Sequence, residues 1–100
     1  MPQYAKRTDA NHTEVVNQIK EALPEATVFD LSGAGRGISD IIVGFRGRNY
    51  LIEIKDPAKV PSARKLTPAQ EQFHVEWQGQ DDVCHNAAEV LAVIARTETK

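Results

Sequence analysis

One hundred residues, 41% of them hydrophobic and 26% charged, are enough for one soluble domain with a single core and too well balanced for a disordered chain. The lone Cys84 excludes an internal disulfide, no apolar run approaches the ~20 residues of a membrane span, and Met1 to Arg7 lack the apolar core of a signal peptide, so a cytoplasmic protein with no membrane contact is expected. The net charge of −2 draws no polyanion, but from Gly33 to Leu66 seven basic residues stand against three acidic ones, a local +4 against −6 in the remainder. Such a segment suits a phosphate backbone, and a solvated surface of mixed charge is its plain alternative.

In chain order, Tyr4, Lys6 and Arg7 form a short basic arm within residues 1–8, expected to be flexible. A first helix runs from Asn11, with Val15, Val16, Ile19, Ala22 and Leu23 at helical spacing and Pro24 as its stop. Ala26 to Leu31 predicts a strand, and Ser32 to Gly37 a glycine-rich loop. Two apolar runs follow, Asp40 to Phe45 and Asn49 to Lys55, joined by Arg46-Gly47-Arg48. Asp56 to Lys65 reads as an exposed loop. Thr67 caps a second helix with Pro68 at its first position, an apolar stripe of Ala69, Phe73 and Trp77, and Gly79 at its end. Phe73 and Trp77 read as core rather than as base-stacking platforms. Asp82 to His85 predicts a short strand, and Asn86 caps a third helix through Ala95 with Val90, Leu91 and Ile94 inward. The order is α-β-β-β-α-β-α in one domain over residues 1–100: an α/β protein with a mixed sheet.

The chemistry concentrates at Asp40 and Glu53-Ile54-Lys55. Strand side chains alternate, so Glu53 and Lys55 share one face while Tyr50, Ile52 and Ile54 take the other. Charges ending so apolar a strand cost stability unless they are paired. A two-residue turn at Arg46-Gly47 pairs Phe45 with Arg48, Val43 with Tyr50 and Ile41 with Ile52, and brings Asp40 opposite Glu53. Facing Cβ atoms lie about 4.5–5.5 Å apart, close enough for two carboxylates to share a divalent cation beside a phosphate. A three-residue turn would put Asp40 on the wrong face.

The glycine loop lacks G-x-G-x-x-G spacing and a P-loop lysine, and a strand follows it, so no nucleotide cofactor is expected. Its glycines instead suit close approach of a DNA backbone, with Arg36 available for a phosphate. Glu14 has two readings: the far end of an Asn11-x-x-Glu14 capping box, or an outer metal ligand. Gln70 has the same two, as the partner of Thr67 in a cap or as a side chain aimed at the site. His12, His74, His85 and Cys84 lack the spacing of a zinc site, and Cys84 reads as a small buried residue.

Gly37-Ile38-Ser39-Asp40, followed by Glu53-Ile54-Lys55 and then by Leu66-Thr67-Pro68-Ala69-Gln70-x-x-Phe73, resembles the PD-(D/E)XK nuclease signature in its VRR-NUC branch, which is related to Holliday-junction resolvases. The resemblance extends roughly from Glu14 to Ile94. It implies a restriction-endonuclease-like α-β-β-β-α-β core with a C-terminal helix, in a stand-alone, phage-type member working in a bacterial or phage-infected cell. It implies that Asp40 and Glu53 are metal-binding acids, that Lys55 is the catalytic lysine, and that Gln70 and Glu14 belong to the site. Ser39 departs from the pattern, which has proline there; that proline shapes backbone and donates no chemistry.

The implied activity is endonucleolytic cleavage of DNA, structure-specific for branched or four-way junctions. Mg²⁺ or Mn²⁺ would be held by Asp40, Glu53 and the Ile54 carbonyl, with Glu14 assisting through water. Arg36, Arg46, Arg48, Lys59, Arg64 and Lys65 would supply contacts to the DNA backbone. Resolving a junction needs two cuts, hence a homodimer. The alternative is a non-catalytic DNA-binding or assembly module that retains the fold.

Overall fold

The computed structural model describes residues 10–59 and 65–98; Arg64 and the basic arm lie outside them. Helix α1 (His12–Ala22), strand β1 (Thr27–Asp30), a 3₁₀ turn (Ser32–Ala34), β2 (Ile41–Phe45), β3 (Arg48–Ile54), α2 (Pro68–Glu76), β4 (Asp82–Cys84) and α3 (Ala87–Glu98) follow in that order. The α-β-β-β-α-β-α reading holds, with boundaries moved by a few residues. Four strands form one mixed sheet in the order β1-β2-β3-β4, antiparallel except where β3 and β4 run parallel.

The β2–β3 register is the expected one: Phe45 pairs with Arg48, Val43 with Tyr50 and Ile41 with Ile52. The turn is responsible. Arg46 has φ 52° and Gly47 φ 77°, the left-handed pair of a two-residue hairpin whose twist matches its strands. Glycine meets that demand freely; at Arg46 it is imposed, and the guanidinium lies 5.0 Å from the centre of the Phe45 ring.

Alternation then sorts the faces. Ile41, Val43, Tyr50, Ile52 and Ile54 are buried in one core with Val15 and Ile19 of α1 and Ala87, Val90 and Ile94 of α3. Full burial of such side chains contributes about 1.5–3 kcal/mol each. Leu91, expected inward, is only half-buried, and Val93 takes the core position. Helix α1 lacks the capping box: Asn11 Nδ2 donates instead to the His85 carbonyl at 3.0 Å, tying the starts of α1 and α3 together. Asn86 does cap α3, its Oδ1 accepting from Glu89 N at 2.9 Å. Among the described residues no helix is long and apolar enough to cross a membrane.

Helix α2 departs from expectation. It stops at Glu76, before Gly79, and its buried residue is Gln70 rather than the stripe of Ala69, Phe73 and Trp77. Trp77 is 45% exposed, so it is not a core residue. The reason is position: α1 and α3 take the apolar face of the sheet, and α2 meets the other face at its N-terminal end. Gly37 makes that approach possible. At φ 76°, a Cβ there would overlap the Ala69 carbonyl and sit 2.8 Å from Gln70 N. The close contact expected between this glycine and DNA is, at Gly37, a contact with the protein's own helix.

Candidate active site

Four polar side chains gather where the loop before β2, the end of β3 and the start of α2 meet. Asp40, Glu53, Lys55 and Gln70 are 2%, 1%, 7% and 5% exposed. Asp40 stands one step beyond the β2 ladder, and its Oδ2 accepts from Ile54 N at 2.8 Å, extending the β2–β3 pairing by one side-chain bond. Its own carbonyl accepts from Leu31 N at 2.8 Å, so the residue is held from both sides. Glu53 projects from β3 onto the face opposite α1 and α3. Lys55 continues β3, its N–H donating to the Cys84 carbonyl at 2.9 Å.

Gln70 is the hub: it closes the expected cap, and its side chain also reaches Lys55 and Glu53. Its Oε1 accepts from Thr67 N at 2.9 Å while Thr67 Oγ1 accepts from Gln70 N at 3.2 Å, a reciprocal cap. The same Oε1 accepts from Lys55 Nζ at 3.0 Å, and Nε2 donates to Glu53 Oε2 at 2.9 Å. Lys55 Nζ lies 3.7 Å from Glu53 Oε2. One carboxamide therefore caps a helix and spaces an ammonium from a carboxylate. With Asp40 beside them, the formal balance is two acids to one base, an excess negative charge in a buried place.

Glu14 is exposed on the first turn of α1, and the described hydrogen bonds and ion pairs do not join it to Asp40 or Glu53. Among the described residues no group of three or more His, Cys, Asp or Glu could cage a metal by side chains alone. The donors present are two carboxylates, one in the loop just before β2 and one on β3, and backbone carbonyl oxygen. That set fits a hard cation such as Mg²⁺, which uses one or two carboxylates and leaves its other positions to water and phosphate. It does not fit a soft-ligand metal.

The basic residues divide. Arg36 is exposed in the glycine loop at φ 62°, next to Gly37 and so beside α2. Lys59 and Lys65 are exposed on the segment between β3 and α2. Arg46 and Arg48 sit at the far end of the hairpin, five or six residues and about 17–20 Å along the strands from Asp40 and Glu53. Arg46 lines a hollow of about 430 Å³ with Leu23, Phe45, Leu91 and Ile94, on the helix-covered face; among the described residues, its lining includes no acid and no nucleophile.

Three features escaped the sequence reading. Gln80 clips the edge of β3: its Oε1 accepts from Leu51 N at 2.7 Å and its Nε2 donates to Leu51 O at 2.9 Å, standing in for a strand residue. His74 pairs with Asp81 across the connection from α2 to β4, and His85 Nδ1 with Glu89 Oε1 at 3.0 Å. The i,i+4 spacing of His85 and Glu89 is a local signal that could have marked that pair, whereas nothing local marks the partner of Gln80, which lies 29 residues away. Cys84 is the buried, free thiol expected; burial first, then Asp82 and Glu89, push it up to about 12. A thiol held protonated is no nucleophile.

Comparisons with known protein families, with curated proteins and with solved structures return no match.

Proposed function

We propose that this chain is a metal-dependent DNA endonuclease of the PD-(D/E)XK type, acting on branched or four-way-junction DNA as a homodimer. The observation that carries the reading is the buried Glu53–Gln70–Lys55 network set beside Asp40. Burying two carboxylates and an ammonium costs more than an apolar cluster of the same size would. A sequence that keeps them there has a use for them, and strongly charged buried clusters collect at functional sites. The α-β-β-β-α-β element order and the sequence resemblance point the same way.

Asp40, Glu53 and the Ile54 carbonyl would hold Mg²⁺ or Mn²⁺, with Glu14 at most a water-mediated support. Such a cation supplies Lewis acidity toward a phosphate and makes water a better nucleophile at neutral pH. Lys55 positions the attacking water and offers N–H donors to the charge that develops on the phosphate oxygens. Gln70, bonded to both, fixes the relative position of the paired Lys55 and Glu53 in that geometry. Arg36, Lys59 and Lys65, all exposed, would supply contacts to the DNA backbone.

The test is incubation with four-way junction, flap, duplex and single-stranded DNA, each with Mg²⁺, Mn²⁺ or EDTA. Cleavage is expected with either metal and not with EDTA. Lys55→Ala should lose roughly 10²–10³-fold in rate, as when one transition-state donor is removed, and Asp40→Ala at least as much, both with native circular dichroism. Wild-type cleavage by folded Lys55→Ala would refute the assignment. Mn²⁺ binding with no cleavage of any substrate would identify a non-catalytic module instead.

A further inference from the structure

The face of the sheet that carries Glu53 also carries an apolar groove. Ile42 and Leu51 pair across β2 and β3 at its floor, and Leu31, Ile38 and Trp77 line it, enclosing about 390 Å³. That is the size of a small-ligand site. Leu51 precedes Glu53 by two residues on the same face, about 7 Å along the strand. The groove and the carboxylates are therefore neighbours on one surface.

Trp77 is built into this wall as a fixed plate. Phe73 stacks on it with centroids 5.3 Å apart and planes 19° from parallel. Its Nε1 donates to the Gln80 carbonyl at 3.1 Å, and Gly79 passes so close that a Cβ there would lie 2.9 Å from Nε1. Yet the residue is 45% exposed. An indole held this firmly and left open serves packing poorly and stacking well. Asn49, exposed beside the groove, offers a carboxamide. An apolar slot with a stacking plate and an amide at its rim, next to a site for a scissile phosphate, matches a nucleobase with its phosphate alongside.

We propose that this groove holds an unpaired nucleobase of the strand being cut, stacked on Trp77, so that the preferred substrate has an unpaired nucleotide next to the scissile phosphate. The inference rests on the nuclease reading and narrows its substrate class. A base within a duplex is already stacked and paired and would have to be extruded first. A second copy of this chain is the competing occupant, since Phe29, paired with Ile42 of the groove floor, and Val83, paired with Glu53, are exposed on this same face, and Val75 is exposed on α2. The fixed, open indole beside the carboxylates is what favours a base, and fluorescence titration tells the two apart.

Trp77 is the single tryptophan of the chain, so its emission reports this groove directly. In EDTA, where no strand is cut, the protein is titrated with oligothymidylate, with an abasic strand of equal length and with duplex. The expected result is quenching by the thymidine strand and binding about tenfold or more tighter than to the abasic strand or the duplex. Anisotropy of a labelled strand should find that preference lost in Trp77→Ala and largely kept in Trp77→Phe. Equal binding of base-bearing and abasic strands with unchanged emission would overturn the inference. So would emission that follows protein concentration instead of DNA, the mark of a second copy in the groove. A parallel Mg²⁺ assay separates the two readings: cutting without preference for an unpaired base ends this inference alone, whereas base-dependent quenching without cutting keeps the groove and ends the nuclease reading.

Discussion

Gln70 makes four hydrogen bonds to three residues, three of them through its carboxamide, and removing that group should be felt twice. Gln70→Ala leaves Lys55 Nζ and Glu53 Oε2 without their shared partner and Thr67 N without an acceptor. Unsatisfied buried polar groups cost about 1–3 kcal/mol each, more when charged, so a stability loss of roughly 2–4 kcal/mol is expected in urea unfolding, together with loss of cleavage. Thr67→Val separates the roles. It removes one cap bond, about 0.5–2 kcal/mol, and leaves the contacts of Gln70 with Glu53 and Lys55, so cleavage should persist in a less stable protein. Cys84 gives a pH signature. Its thiol is raised by burial from 9.0 to about 12, so the unfolded chain releases that proton first as pH rises. The contribution is fully present below about 9 and is lost as pH climbs toward 12. Urea midpoints of Cys84→Ala should therefore fall less steeply than wild type over that range. Glu89 has the opposite sign: hydrogen bonds from His85 hold it below 4.5, so the stability it adds is lost on acidification.

At the scale of elements, α2 is the one to watch. It is anchored by Gly37 and Gln70 at its N-terminal end and contributes no residue to the common core. Gly37→Ala adds a methyl where the Ala69 carbonyl already is, at a backbone angle alanine resists, so α2 must move. The expected cost is about 1–3 kcal/mol, with cleavage lost beyond what the unfolding explains because Gln70 moves with the helix. Gly47→Ala strains a turn far from the acids: it should cost about 1–2 kcal/mol and leave the rate per folded molecule unchanged. Together the pair tells whether the seat of α2 matters to catalysis or merely to folding.

For the molecule as a whole, the two faces of the sheet do different work. One is closed by α1 and α3 into the core; the other is shared by the carboxylate cluster and the Trp77 groove. DNA lying on the second face would meet Arg36, Lys59 and Lys65 before it met Arg46 and Arg48. Arg36→Ala should therefore weaken binding and flatten its dependence on salt by about one counterion, whereas Arg48→Ala should change neither, as read by anisotropy at several salt concentrations. Equal effects of the two substitutions would mean that DNA reaches the far end of the hairpin.

The β2–β3 register, the burial of Ile41, Val43, Ile52 and Ile54, and the meeting of Asp40 with the end of β3 were all legible in the chain itself. Alternation and a two-residue turn are local properties, and they carry side chains to faces without help from distant residues. Whether Gln70 serves as cap or as site partner, why Gly37 must be glycine and why Trp77 stays open depend on where α2 comes to rest. That placement is made by contacts between residues far apart in sequence, and no periodicity within α2 encodes it. Only the folded arrangement turns two candidate capping boxes into different outcomes: Asn11 reaches across to α3, while Thr67 closes its cap around the residue that also holds Lys55 and Glu53.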